Sequence, residues 1–360
     1  MSQRAKRIAS LRAMFSTGRH MQRAHSFQSG FVLPSVLAYI AAFTLVILIA
    51  AGSLERSRAI AISLDQSARL ATALDSAEAR AIFTFLTSRP VPGGIDTSGR
   101  STSAEDLLLG VDTGNAGDPL EPANVWSASE GIRLMSASPV RTWAIYQDVS
   151  GLLSLNTTDA DLLAGLLEQF DVRKDDAATM AARLADYQDD DNLRRPLGAE
   201  RADYRLRKMD PPSNAPLRTP AELGQVLGWE GFRPSGELAF LSIVTSAPTQ
   251  NAPRATFAPG AVRELVASRL ASIMKNEDLL TEAMQSSLLP TDRARFILVA
   301  QDDVDGLYRV RLVEIQRQPT ASARPYTRLL ISENSMSQLP ENWQPGANAQ
   351  NIDSSQSEGR

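Results

Sequence analysis

From Phe31 to Leu54 the chain runs 24 residues without a formal charge, and Glu55 closes the run. At about 1.5 Å per residue a helix here spans roughly 36 Å, enough to cross a hydrocarbon core of about 30 Å with some tilt. Beyond it the apolar pattern turns periodic. Leu64, Ala68, Ala71, Leu74, Ala77, Ala81 and Phe85 recur every three or four residues, with Asp65, Arg69, Asp75 and Arg80 between them. No Gly or Pro lies between Ser53 and Arg89, and Pro90 with Pro92-Gly93-Gly94 ends the pattern. The spacing predicts one helix over about 31–88, roughly 85 Å long at the same rise. It is apolar all round over 31–54 and amphipathic over 55–89. A membrane anchor followed by a separate coiled-coil stalk has the same periodicity.

Residues from about 90 to 123 are rich in Gly, Pro, Ser and Asp and read as loop. Val140-Arg-Thr-Trp-Ala-Ile-Tyr146 has strand-like composition, and 156–230 reads as helices. Leu155-Asn156-Thr157-Thr158-Asp159 opens one helix with polar caps, and Leu162, Leu163, Leu166, Leu167 and Phe170 form its apolar face. Thr219-Pro220-Ala221-Glu222 reads as a capping box with proline at the first helical position, ahead of Leu223, Val226 and Leu227. Arg295–Ala300 and Leu307–Val313 flank Asp302-Asp303-Val304-Asp305-Gly306, a hairpin signal, and Tyr326–Ile331 adds a third strand. Strands on both sides of a helical block predict an α/β (α+β) domain, 90–155 and 290–335, interrupted by an α-helical insertion at 156–289. The Gln-, Asn- and Ser-rich tail, 336–360, reads as disordered.

Charge orients the chain. Residues 1–30 carry Arg4, Lys6, Arg7, Arg12, Arg19 and Arg23 and no acid, so the N-terminus stays cytoplasmic and residues after about 55 lie across the membrane. A secretory signal puts its small-residue cleavage site after the apolar region; here Ser29-Gly30 lies before it. Gly30-Phe31 at the edge of the run resembles the class III signal of type IV prepilins and type II secretion pseudopilins. That resemblance implies a leader, 1–30, removed by a prepilin peptidase after Gly30, and an often methylated Phe31. An ordinary bitopic anchor shares the charge asymmetry but not the glycine.

Removing the leader leaves 31 basic and 41 acidic residues, a net charge of −10. Such a surface gains little from a polyanionic nucleic acid. There are no cysteines, and both histidines, His20 and His25, sit in the leader. Cysteine- and histidine-based catalysis and the usual zinc sites are therefore excluded from a cleaved chain. The inventory reads as structural, with no enzyme activity, although carboxylate chemistry stays open.

The remaining chemistry is acidic. Asp186-Tyr187-Gln188-Asp189-Asp190-Asp191-Asn192 is followed by Gly198-Ala199-Glu200 and Asp203-Tyr204. Calcium takes six to eight oxygens, and Asp189, Asp191 and Glu200 fall at positions one, three and twelve of an EF-hand count. Leu193 and Arg194 stand where that motif wants an oxygen ligand and Gly, so a looser loop is expected, with Asp186 as a fourth carboxylate. A solvated acidic turn paired with Arg194, Arg195 and Arg201 is the plainer alternative. Asp302, Asp303 and Asp305 read as turn residues.

The order Leu-Asn-Thr, Asp-aromatic-x-Asp-x-Asp, Gly-Ala-Glu, Asn214-Ala-Pro216 and then a Glu-Leu helix resembles protein K of type II secretion systems, the largest minor pseudopilin. With the N-terminal signal and terminal strands, the likeness spans roughly 25–333. It implies a pilin-like fold with a long transmembrane helix, a small antiparallel sheet and a large α-helical insertion. It also implies calcium, an inner-membrane position with a periplasmic domain, and a place at the pseudopilus tip. The implied partners are other minor pseudopilins, the major pseudopilin and the peptidase. Major pilins carry glutamate five residues into the mature chain; this chain has Ser35 after Pro34, as protein K typically lacks that acid.

A membrane-anchored helix-hairpin-helix DNA receptor is the alternative, since Leu-Asn-Thr before a leucine-rich helix also opens those repeats. They need a Gly-hydrophobic-Gly phosphate nest. The chain offers Glu168-Gln169-Phe170-Asp171 and Gly228-Trp229-Glu230-Gly231, with acids that oppose binding, so no nucleic-acid partner is expected.

Overall fold

The computed structural model describes residues 32–98, 124–232, 237–248, 253–273, 288–302, 306–318, 324–345 and 350–351. The chain divides into two units, Met1–Ser63 and Leu64–Arg360. The first holds the opening part of helix α1 (Val32–Thr87), where almost every side chain is exposed, Leu37, Phe43 and Ile47 among them. Two hydroxyls within the apolar stretch satisfy themselves on the helix: Thr44 Oγ1 donates to the Ile40 carbonyl (2.7 Å) and Ser53 Oγ to that of Ala50 (2.8 Å). Among the described residues, one helix is long and apolar enough to cross a membrane, and it is this one.

In the second unit the rest of α1 is amphipathic, as its spacing predicts. Leu74, Ala77, Ala81, Ile82 and Phe85 are buried in one cluster with Ala144, Tyr146, Phe296, Leu298, Val313 and Ile315 from a six-stranded sheet. That sheet is built from β4 (Ser129–Ser136), β5 (Arg141–Asp148), β8 (Arg293–Gln301), β9 (Tyr308–Arg317), β10 (Tyr326–Met336) and β11 (Gln350–Asn351), in the order β10-β9-β8-β5-β4-β11. All its pairings are antiparallel except β11 with β4. Charge fixes the helix on it. Glu78 accepts from Arg311 Nη1 (2.8 Å) and Arg328 Nε, while Arg311 also reaches Asp75 (2.7 Å) and Glu333 (2.8 Å). Burial works against the Glu78 anion, yet the Arg328 and Arg311 guanidinia hold its carboxyl below the usual range.

The structure lengthens the expected strands and adds others. Residues 89–98 are not loop: β1 (Arg89–Val91), β2 (Gly94–Asp96) and β3 (Val125–Ser127) form a small antiparallel sheet. Pro92-Gly93 closes its hairpin, with Gly93 at a φ of +82°. The tail is ordered as far as it is described, which corrects the expectation from composition. Leu339 and Trp343 are buried against Trp143, Ile145, Val299 and Leu312 on the sheet face opposite α1, and Trp143 Nε1 donates to the Trp343 carbonyl (2.8 Å). Two large apolar side chains anchor a segment whose average composition is polar.

Between β5 and β8 lies the helical block: α2 (Ala160–Gln169), α3 (Lys174–Gln188), α4 (Arg201–Leu206), α5 (Glu237–Ile243) and α6 (Gly260–Ile273). Asp159 caps α2, accepting from Asp161 N (2.8 Å). Leu162, Leu163, Leu166 and Leu167 of α2 share a core with Ala177, Met180, Ala181 and Leu184 of α3. Residues 220–225, expected as an α-helix, form a 3-10 helix capped by Thr219; Glu222 reaches Arg218 N (3.3 Å) rather than Thr219, so the box does not close. The block also contains a strand, β7 (Val244–Thr245), parallel to β6 (Leu153–Ser154). Asn156 of the Leu-Asn-Thr motif ties the start of the block to two segments within it. Its amide donates to the carbonyls of Leu217 (2.8 Å) and Ser246 (2.6 Å) and accepts from Leu217 N (2.8 Å). Arg295, fully buried, joins β8 to the end of α5 through the carbonyls of Leu241 and Val244, and pairs with Glu314 on β9 (2.8 Å).

Candidate metal centre

The acidic loop runs from the last turn of α3 to the N-terminus of α4. Asp186 lies on α3 and is fully buried, accepting from Arg195 N (3.2 Å) and Arg195 Nη1 (3.0 Å). Gly198 makes that approach possible: a Cβ there would lie 1.9 Å from Asp186 Oδ2. Asp189 follows the helix end and meets the same Arg195 Nη1 through Oδ2, while its Oδ1 is buried without a partner. Asp191 is exposed. Its Oδ1 accepts from Leu193 N (2.7 Å), and its carbonyl from Asn214 Nδ2 (2.6 Å). Asn214 N in turn donates to the Tyr187 carbonyl (3.0 Å), so the Asn-Ala-Pro segment pins the loop to α3.

Glu200 closes the group. Its side chain is only 6% exposed; it caps the first turn of α4 through backbone N–H groups, and among the described residues it makes no ion pair. Burial, then the charges of Asp186 and Asp189, push its carboxyl above the usual range. One carboxylate oxygen from each of Asp189, Asp191 and Glu200 falls within 4.8 Å of the others. Calcium–oxygen distances of about 2.3–2.6 Å put opposed ligands about 5 Å apart, so this spacing suits a hard cation. The donors fit it chemically, being anionic oxygens, among them the buried Asp189 Oδ1, which has no hydrogen-bond partner among the described residues.

Of the four expected carboxylates, three come together and the fourth serves the loop. Asp186 is spent on the Arg195 amide and guanidinium, so it shapes the loop instead of joining the cluster. The ion pairs of the plainer reading are present in part: Arg195 engages Asp186 and Asp189, Arg194 stands 3.5 Å from Asp203, and among the described residues Arg201 makes no ion pair. Arg195 and Gly198 are the residues that sequence reasoning undervalued. The only signal was their place inside an acidic loop. Gly30 and Phe31 lie outside the described residues, as do Asp303 and Asp305.

The phosphate-nest alternative meets a chemical obstacle. The Gly228 N–H that would face a phosphate already donates to Glu230 Oε2 (2.7 Å), and Trp229 is buried with its Nε1 on the Met180 carbonyl (2.9 Å).

Residues 146–233, the stretch that carries these features, match the family model described as type II secretion system (T2SS), protein K. The likeness read from motif order is borne out over that segment. Among solved structures the chain is similar to one titled the crystal structure of the GspK-GspI-GspJ complex from the enterotoxigenic Escherichia coli type 2 secretion system. Identity is 16%, the alignment covers 65% of this chain and 93% of that one, and the TM-score is 0.40. No curated protein matches the chain.

Proposed function

We propose that the chain is a minor pseudopilin of a type II secretion system, a structural subunit at the tip of the pseudopilus. The protein K match over 146–233, in a chain whose described part opens with a membrane-length apolar helix, carries this reading. In it the basic leader stays cytoplasmic, a prepilin peptidase cuts between Gly30 and Phe31, and α1 anchors the protein in the inner membrane. Unit Leu64–Arg360 is then periplasmic. Ser35 places no carboxylate where major pilins have one, so a further copy finds no acid for its terminal amine, whose charge is costly to leave unpaired in lipid. The amine of this chain can still meet an acid on the subunit below. That asymmetry suits a cap, because open-ended growth needs two complementary surfaces. The subunit then helps initiate assembly, and so export across the outer membrane, with the other minor pseudopilins and the major one as partners.

Asp189, Asp191 and Glu200 hold calcium in this reading, with Asp186 and Arg195 setting the loop around it. The ion supplies the positive charge that Glu200 lacks and joins the end of α3 to the start of α4.

Co-expression with the other minor pseudopilins tests the assignment. The soluble region should be monomeric alone and form a defined complex with them, and deletion should impair secretion while leaving pseudopili longer when the major subunit is overproduced. Filaments formed by this protein alone, or normal secretion without it, refute the tip role.

A further inference from the structure

The segment from Leu193 to Lys208 presents a surface that its own fold does not use. Leu193, Leu197 and Leu206 are 76%, 60% and 83% exposed. Leu197 also has a φ of +66°, the left-handed region that glycine occupies without strain. A leucine in that conformation, with its side chain in solvent, adds strain and gains no burial. Arg201, Arg205, Arg207 and Lys208, on α4 and just beyond its end, are all exposed as well. Among the described residues none of the four has a side-chain ion pair or hydrogen bond.

Leu193 and Leu206 lie on one side of the segment. Arg194, next to Leu193, reaches Asp203 on α4, and Leu206 follows Asp203 by three positions, on the same side of that helix. Leu197 sits in the turn closed by Gly198 N on the Arg195 carbonyl (3.0 Å), which Arg195 ties to Asp186.

We infer that residues 193–208 form a docking surface for an acidic, leucine- or aromatic-bearing stretch of a partner protein. The chemistry is complementary: exposed apolar side chains set among unpaired cations, on a chain whose net charge after the leader is −10. A local basic patch on an acidic protein steers acidic partners to itself and away from the rest of the surface. An anionic bilayer is the weaker fit. Exposed Asp190, Asp191 and Asp210 border the patch and would face the same headgroups, whereas a protein can place its acids between them.

The full chain in secreting cells tests this, with a photo-crosslinking residue placed at Leu197 or Leu206 and, as a control, at exposed Leu307. The expected result is one protein adduct from the first two positions and not the third, mapped to an acidic stretch of the partner. Arg201→Glu with Arg205→Glu and Arg207→Glu should reduce the adduct at least tenfold, and Lys at the same positions should preserve it. A synthetic peptide of the mapped stretch should bind the purified soluble region with the same charge dependence. Because these side chains are exposed, an unchanged melting temperature verifies that the variants fold. No adduct, an adduct insensitive to charge reversal, or crosslinks to phospholipid with charge-dependent binding to phosphatidylglycerol vesicles would overturn the inference. Each of these outcomes leaves the pseudopilin reading intact, since that reading rests on complex formation and secretion.

Discussion

Glu200→Gln should change sign with calcium. In the ion-free protein the Glu200 carboxylate is buried, makes no ion pair among the described residues and lies within 4.8 Å of oxygens on Asp189 and Asp191. Two unit charges at that separation repel by about 3 kcal/mol at an effective dielectric of about 20. Arg195 offsets the Asp189 charge and solvent screens exposed Asp191, so a net cost of about 1–2 kcal/mol is a fair figure. Glutamine keeps the shape and removes that cost, so in chelator the variant should melt higher than the natural protein. With calcium the order reverses. At about a hundredfold excess over Kd the natural protein gains about 2.7 kcal/mol, roughly 5–10 °C at about 2–4 °C per kcal/mol. The variant, one charged ligand short, should gain much less.

Protons act as the weaker cation at the same place. The folded Glu200 carboxyl sits above its unfolded value, so the folded state binds more protons between the two. Its cost is therefore absent below the unfolded pKa and appears as pH rises through the raised folded value. The calcium increment should grow across the same window. Thermal melts of the region from residue 55 onward, with calcium and with chelator, check both effects. If glutamine shifts the melting temperature in the same direction under both conditions, or calcium leaves the natural protein unmoved, the cluster is only a solvated turn.

Three further outcomes are expected. Gly198→Ala drives a methyl into Asp186 Oδ2 and should cost about 1–3 kcal/mol, read as a lower urea midpoint at unchanged slope. Glu78→Ala strands Arg311 and Arg328 between α1 and the sheet and should cost about 2 kcal/mol after allowance for their partial exposure. Because the Glu78 carboxyl is held low, its contribution is present above the unfolded pKa and lost as pH falls through the folded one, an acid limb that the variant should lack. Co-expression with a prepilin peptidase should shorten the chain by 30 residues and expose Phe31, with Gly30→Leu blocking the cut; N-terminal sequencing decides, and cleavage after residue 50 excludes the class III signal.

What could be read in advance was what is local in sequence. The long helix announced itself because 3.6-residue periodicity needs only its own residues, and Leu74, Ala77, Ala81 and Phe85 face the sheet as spaced. The hairpin of β8 and β9 was visible for the same reason. β4 was not, because Glu130 interrupts its pairing as a bulge at a φ of +63° and breaks the two-residue alternation. Glu78 looked like one more polar position on α1, since its partners Arg311 and Arg328 lie 233 and 250 residues away.

The acidic loop lies between these cases. Its twelve-residue span brought Asp189, Asp191 and Glu200 within reach of one another by count, and the fold delivers them within 4.8 Å. The count could not say that Asp186, equally acidic and three residues upstream, would be claimed by a loop arginine. That assignment follows from solvation. Asp186 is carried on α3 into full burial, where an anion must be compensated by the nearest donors, here the backbone and guanidinium of Arg195. Arg195 is drawn to Asp186 and Asp189, and among the described residues Glu200 is buried with no ion pair. The same arginine that completes the loop thus leaves Glu200 beside Asp189 and Asp191 without a side-chain ion pair among the described residues, and the proposed calcium would supply the positive charge.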